Sequence, residues 1–141
     1  MALVELRAEM FEAMGVANEG AAWREAARSW FETHLSDRAV GVFVADVDGV
    51  VVACALGVIR AGLPSPAVVD GRDVAVSNVV TRSGWRGRGN GRAVFDAVIA
   101  WAREDGVTRA ELMATSDGRR IYERAGFAPT EHPAMRAMLD G

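Results

Sequence analysis

Between Thr81 and Val94 the chain reads Thr-Arg-Ser-Gly-Trp-Arg-Gly-Arg-Gly-Asn-Gly-Arg-Ala-Val, an apolar strand that gives way to an arginine- and glycine-dense turn and then an amphipathic helix. Gly87, Gly89 and Gly91 let the backbone bend and approach a ligand closely, and a helix starting behind them leaves its first N–H groups unpaired and aimed at the bend. Arg86, Arg88 and Arg92 add positive charge. These residue types in this order make an anion cradle, and a polyphosphate suits it.

Spacing decides which cradle it is. A dinucleotide fingerprint G-x-G-x-x-G begun at Gly87 would need glycine where Arg92 stands, and begun at Gly89 it would need glycine where Val94 stands. A triphosphate loop G-x-x-x-x-G-K-[ST] begun at Gly84 reaches Gly89 but meets Asn90 in place of lysine. Arg86-x-x-Gly89-x-Gly91 does fit a pattern: it resembles the acyl-CoA signature [QR]-x-x-G-x-[GA] of the GCN5-related N-acetyltransferase family. Downstream, Gly118-Arg-Arg-Ile-Tyr-Glu-Arg-Ala-Gly-Phe127 looks like that family's second landmark, a helix carrying tyrosine and ending in Gly-Phe, and Tyr122 is the only tyrosine of the chain. The resemblance runs from about position 5 to 139.

The resemblance implies an enzyme that uses acetyl-CoA as cosubstrate and acetylates a primary amine by direct attack in a ternary complex. It places the pyrophosphate on the N–H groups of Arg86, Gly87, Arg88, Gly89, Asn90, Gly91 and Arg92. Main-chain groups of Val79, Val80 and Thr81 are implied to hold the cofactor and polarise the acyl carbonyl. Tyr122 falls at the position of the family's general acid, and a phenol with an ordinary pKa near 10 is protonated at neutral pH and can donate to sulfur. An alkyl ammonium is only about one-thousandth neutral at pH 7.4, so its proton needs a route out. Glu111 is the first candidate base, although its register differs by one residue from the family's, and a one-residue slip turns a strand side chain to the other face. Asn78 could position a water. His34 and His132 fall at element ends and are weaker candidates.

The acceptor wall implied by the family comes from the first two helices and the loop before the central strand, here Met10, Phe11, Met14, Trp23, Trp30 and the Leu63-Pro64 region. Glu9, Glu12, Glu19 and Glu25 could draw in a cationic amine or merely form a solvated acidic face. A small, partly apolar amine is expected. Two other classes stay open: a non-catalytic acyl-CoA-binding or sensing domain, which needs the cradle but neither Tyr122 nor a base, and an interaction module built on an exposed sheet edge.

The elements that must position these residues follow from periodicity. Helical spacing predicts helices over Ala2 to Met14, through Leu3, Leu6, Met10, Phe11 and Met14, and over about Glu19 to His34. Strands are predicted over Val40 to Asp46 and Val50 to Val58, joined at Asp48-Gly49 as a hairpin, and over Val74 to Thr81. A helix from Gly91 to Glu104 packs through Val94, Val98 and Trp101. A strand from Arg109 to Ala114, a helix from Asp117 to Ala125 and a last strand pair near Ala128 to Glu131 and Met135 to Leu139 complete the order. The fold class is α/β: a single mixed, mostly antiparallel sheet with helices on both faces, in one domain over residues 1 to 141. One departure from the family is visible, because helical spacing starts almost at once and the usual first strand is missing. A partner could supply it, which leaves room for a homodimer.

Composition bounds the rest. The 141 residues are half apolar, enough for one core. A net charge of −3 argues against broad nucleic-acid affinity. Cys54 stands alone in the apolar run Val50 to Val58, so it reads as a packed small residue in a reducing compartment. No apolar run approaches bilayer length, no leader pattern opens the chain, and no metal-ligand cluster stands out, so a cytoplasmic protein without membrane contact is expected. The Pro-containing stretch from Ala61 to Arg72 is either a substrate flap or a plain strand connection.

Overall fold

The computed structural model describes every residue except 117 and 141. Its elements in chain order are α1 (Ala2–Ala13), α2 (Ala22–His34), β1 (Val40–Val47), β2 (Val50–Ala61), β3 (Arg72–Thr81), α3 (Asn90–Glu104), β4 (Ala110–Leu112) and α4 (Arg119–Arg124). The strands form one sheet in the order β1-β2-β3-β4, antiparallel through the first three and parallel at β3 and β4. The hairpin between β1 and β2 closes on Asp48 and Gly49, both at positive φ (50° and 84°), the geometry that a two-residue turn between right-twisted strands demands. Asp46 Oδ1 accepts the Gly49 N–H at 2.8 Å.

Helices cover both faces, as expected. On one face α3 lays Val94, Val98 and Ala102 over Ala53, Ala55, Val74 and Val76. The approach is close because the sheet offers no side chain there: a Cβ at Gly57 would stand 2.7 Å from Val98 Cγ1, and one at Gly41 2.8 Å from the Trp101 ring. On the other face α1 and α2 place Leu3, Leu6 and Phe31 over Cys54 and Val80. With both faces covered, the centre of β2 from Val52 to Leu56 is buried without alternation.

Several boundaries differ from the sequence expectation. Strand β4 is three residues long where Arg109 to Ala114 was expected, and α4 starts at Arg119; position 117, where that helix was expected to begin, lies outside the described residues. The last strand pair does not form. From Ala128 to Asp140 the chain is exposed and without regular structure, with Met135 97 %, Met138 78 % and Leu139 94 % accessible. A strand is stable only against a partner, and three-residue β4 offers no edge long enough to template one, while Pro129, inside the first of the two, removes a ladder donor. The stretch after β2 is a closed loop: Gly62 N–H donates to Gly71 O at 2.9 Å, and Val68 is buried while Leu63 points outward.

Candidate active site

The central feature of the site is an irregularity in β3. Cys54 pairs with Val80 and Leu56 with Ser77, so the single residue Ala55 faces both Asn78 and Val79. This is a bulge, and Asn78 adopts φ 54° to make it. The extra residue turns Ser77 and Asn78 toward the same face, that of α1 and α2, while Val79 packs toward α3 and Val80 back toward α1. Asn78 is 5 % exposed and both ends of its amide are engaged: Oδ1 accepts from Arg7 Nη1 at 3.0 Å, and Nδ2 donates to Cys54 Sγ at 3.5 Å. The Cys54 thiol donates in turn to the Asn78 carbonyl at 3.6 Å, and burial pushes its pKa up to about 12. Asn78 thus holds the strained backbone in place, with one N–H and one acceptor lone pair of its amide still unused by the protein.

Two openings meet at the bulge. One is the free edge of β3. Pairing to β4 runs only from Val74–Ala110 to Val76–Leu112, so from Ser77 to Thr81 that edge has no strand beside it among the described residues. The other is a cavity of about 780 Å³ between α1, α2 and the sheet, lined by Phe11, Trp23, Trp30 and Phe31, by Leu56 and Val58, and by Arg7, Asn18, Ser77 and Asn78. Phe11 and Trp23 meet edge to face at 5.5 Å, which shapes one wall.

At the far end of the free edge lies the cradle. Gly84, Gly87 and Gly89 have φ 87°, 76° and 84°, and Gly89 is the N-cap of α3, with no side-chain cap. The N–H groups from Arg86 to Arg92 take no protein acceptor among the described residues; the first helical bond is Ala93 N–H to Gly89 O at 3.0 Å. These seven N–H groups run through a glycine turn into an uncapped helix N-terminus, the kind of backbone that binds phosphate. Gly91 packs against the end of β3, where a Cβ would come 3.0 Å from Thr81 Oγ1. Arg86 Nε reaches the Thr81 carbonyl at 3.4 Å, Arg88 lies over the Trp85 ring at 4.9 Å, and Arg92 pairs with Asp96 at 2.9 Å. The geometry accommodates an acyl-CoA: donors for its phosphates at one end, an open strand edge for its arm, and the bulge at the other end.

Tyr122 sits on α4 with its ring edge-on to Phe95 of α3 at 5.2 Å, on the flank of the same helix whose start forms the cradle. Its hydroxyl has no protein partner among the described residues, and burial raises its pKa, so it is a phenol at neutral pH. Glu111 lies elsewhere. It pairs in register with Ala75, three residues before the bulge and roughly 10 Å along the strand, and its carboxylate stands 3.8 Å from Arg60. Arg60 is committed to buried Asp73 by two hydrogen bonds of 2.8 and 2.6 Å, with Arg109 4.0 Å away. Glu111 therefore belongs to an ion cluster at the other end of β3. His34 is stacked on Trp30 with its Nδ1 2.8 Å from the Trp30 carbonyl, and His132 is in the exposed terminal segment.

The expected acceptor wall is found in part. Phe11, Trp23 and Trp30 line the cavity; Met10 packs into the core beneath α1, Met14 is half exposed, and Leu63 is 92 % exposed. The acidic residues are not there. Glu9 and Glu5 bind Arg82 at 2.9 and 3.2 Å, Glu12 and Glu19 are exposed, and Glu25 lies beside a smaller cavity. No Asp or Glu lines the large cavity among the described residues. Two arginines carry roles that pattern reading passed over. Arg82 also donates to Val51 O at 2.8 Å and so fastens α1 to the end of β3. Arg7 occupies the apolar stripe of α1 together with Leu3, Leu6, Met10 and Phe11; a charge on such a stripe was the available signal.

Comparison with known proteins places the fold in a known family. A family model described as the acetyltransferase (GNAT) family matches residues 2–127. Among solved structures, a predicted acetyltransferase with acetyl-CoA from Clostridium acetobutylicum superposes with a TM-score of 0.88 at 21 % identity, over 99 % of this chain and 90 % of that one. A GCN5-related N-acetyltransferase from Ralstonia eutropha JMP134 gives 0.83 at 24 % identity, over 96 % and 90 %. Glucosamine-6-phosphate N-acetyltransferase from Arabidopsis thaliana gives 0.73 at 17 % identity, over 97 % and 88 %. A search of curated proteins returned no match.

Proposed function

Since the chain belongs to the acetyltransferase (GNAT) family, we propose that it is an acetyl-CoA-dependent N-acetyltransferase that acetylates the primary amine of a small molecule by direct attack in a ternary complex. The observation that carries this reading is the bulge at Asn78 and Val79, where the free edge of β3 and the aromatic cavity meet. Acetyl-CoA supplies an activated acyl carbon.

The chain's own residues do the rest. The N–H groups from Arg86 to Arg92 hold the pyrophosphate, and main-chain groups of Val79, Val80 and Thr81 along the open edge receive the arm and polarise the carbonyl. Tyr122 donates its phenolic proton to the departing sulfur. The amine's own proton leaves by water, because no carboxylate lines the cavity among the described residues; Glu111 can take part only through a chain of waters. A covalent acetyl-enzyme on cysteine is disfavoured by the Cys54 thiol, which is buried and held in its protonated form.

Native mass spectrometry with acetyl-CoA, followed by a thiol-release assay over a panel of small primary amines, tests the reading. Micromolar binding is expected, lost on Gly89→Val with Gly91→Val, together with amine-dependent CoA release. Absence of binding would remove the cosubstrate. Binding with no amine-dependent release across the panel would return the chain to a non-catalytic acyl-CoA-binding role.

A further inference from the structure

Arg7 lacks the partner that its surroundings call for. Arg7 is one of ten arginines with no carboxylate within 4 Å among the described residues, and among those ten it alone lines the aromatic cavity. It is half-buried, it lines the aromatic cavity, and one of its five donors is used, on Asn78 Oδ1. Its guanidinium lies over the Phe11 ring at 4.8 Å, a stacking that leaves the in-plane donors at the ring's edge available. Burial lowers its pKa, consistent with its place against the apolar cavity.

Building on the acetyltransferase reading, we propose that Arg7 binds the carboxylate of the acceptor, and that the acceptor is a free α-amino acid with a large apolar side chain seated among Phe11, Trp23 and Trp30. A planar fork matches a carboxylate by two parallel hydrogen bonds. Because Arg7 touches the bulge residue itself, the anion and the amine to be acetylated can be only a few atoms apart, as they are in an α-amino acid. The aromatic wall takes the apolar side chain. A single guanidinium, the only charged group in a lining whose other polar residues are the neutral Asn18, Ser77 and Asn78, balances one negative charge better than the two of a phosphate dianion, while the missing carboxylates leave nothing to hold the second cation of a diamine.

The test separates this from the parent reading by using ligands that cannot react. Calorimetry on the wild-type protein would compare 3-phenylpropionate and indole-3-propionate with their neutral amides. The acids should bind roughly ten- to a hundredfold more tightly, the worth of a charged hydrogen-bond pair, and Arg7→Gln should erase the difference while Arg7→Lys keeps part of it. In parallel, kcat/KM for phenylalanine and tryptophan should exceed that for phenethylamine and tryptamine by a similar factor. Equal binding of acid and amide, or a preference for the decarboxylated amines, overturns the proposal, and acetylation of those amines would leave the transferase reading standing. Acid-selective binding without acetylation of any amine sinks the transferase reading and keeps the anchor. Should Arg7→Gln fail to fold, the wild-type comparison of acid with amide still decides.

Discussion

Gly89 allows the cradle to be tested by strain alone. Its φ of 84° lies in the left-handed region, and a Cβ built there would meet no atom within 4 Å, so Gly89→Ala adds no clash. The conformation costs an alanine about 1–2 kcal/mol. That cost has two places to go. If the turn keeps its geometry, folding bears the strain, offset by about 0.4–1 kcal/mol because alanine restricts the unfolded chain. A net loss near 1 kcal/mol lowers Tm by roughly 3–5 °C in a domain of this size. If instead the free turn relaxes to negative φ, Tm stays level or rises slightly, and the strain returns when the seven N–H groups must be realigned on a ligand. Acetyl-CoA affinity then falls by roughly 5- to 30-fold.

Strain and lost affinity thus trade against each other, and differential scanning calorimetry with isothermal titration of acetyl-CoA measures both. Gly91→Ala is the control, because its φ is not positive and only the Thr81 hydroxyl must give way, so it should shift stability little. Gly89→Asn, which tolerates the left-handed region, should fall between wild type and alanine. A Gly89→Ala protein with unchanged Tm and unchanged affinity would refute the claim that this turn's shape is what binds the cofactor.

Tyr122→Phe should lower kcat by roughly 10²–10⁴-fold with acetyl-CoA affinity unchanged, and leave Tm near that of the wild type because the ring contact with Phe95 survives; unaltered turnover would remove Tyr122 from the mechanism. Asp73 is held below the ordinary carboxylate range chiefly by its hydrogen bonds from Arg60, so its contribution is present above the unfolded-state pKa near 3.9 and is lost as pH falls through the lower folded value. Asp73→Asn should accordingly cost about 1–2 kcal/mol in urea unfolding at pH 7, since Arg60 is half exposed, and the gap to wild type should close as pH falls through the lowered folded-state pKa; a gap that persists once Asp73 is protonated would point to packing instead. The Cys54 thiol, pushed up to about 12, should be inert to a disulfide reagent at pH 8 in the native state and react fully in denaturant; rapid native labelling would show that the floor of the bulge opens.

What could be read in the sequence was whatever rests on local chemistry. The cradle is legible because a helix start behind glycines is a backbone property, and Asp48-Gly49 announces its hairpin for the same reason. The bulge is not announced by the strand pattern, although an asparagine inside Val74-Ala-Val-Ser-Asn-Val-Val is an unlikely strand residue and one of the few that accept positive φ. Its role depends on Arg7 and Cys54, 71 and 24 residues away, and pattern reading along one strand does not see partners at that distance. Strand position points to Glu111 as a base, and the register pairs it with Ala75 in an ion cluster away from the bulge. The terminal strands rest on periodicity where pairing decides, and nothing pairs with them among the described residues.

The same long-range partners explain why the two substrates would be read together. Asn78 is clamped from the cavity side by Arg7 and from below by Cys54, and its backbone is the bulge that borders the open edge of β3. An anion placed on Arg7 takes up donors beside the one already spent on Asn78 and anchors α1, which Arg82 ties through Glu5 and Glu9 to the end of β3 just before the cradle. On this proposal, filling the cavity would stiffen the strand edge proposed to receive the cofactor's arm, and an arm bound there would stiffen the floor of the cavity. Linkage makes this effect reciprocal: whatever factor an apolar carboxylate contributes to CoA affinity, CoA must return to the carboxylate. Titrating each in the presence of the other checks the equality. Independent binding would show that the bulge is rigid before either ligand arrives, so that the Arg7, Asn78 and Cys54 contacts have completed its organisation during folding.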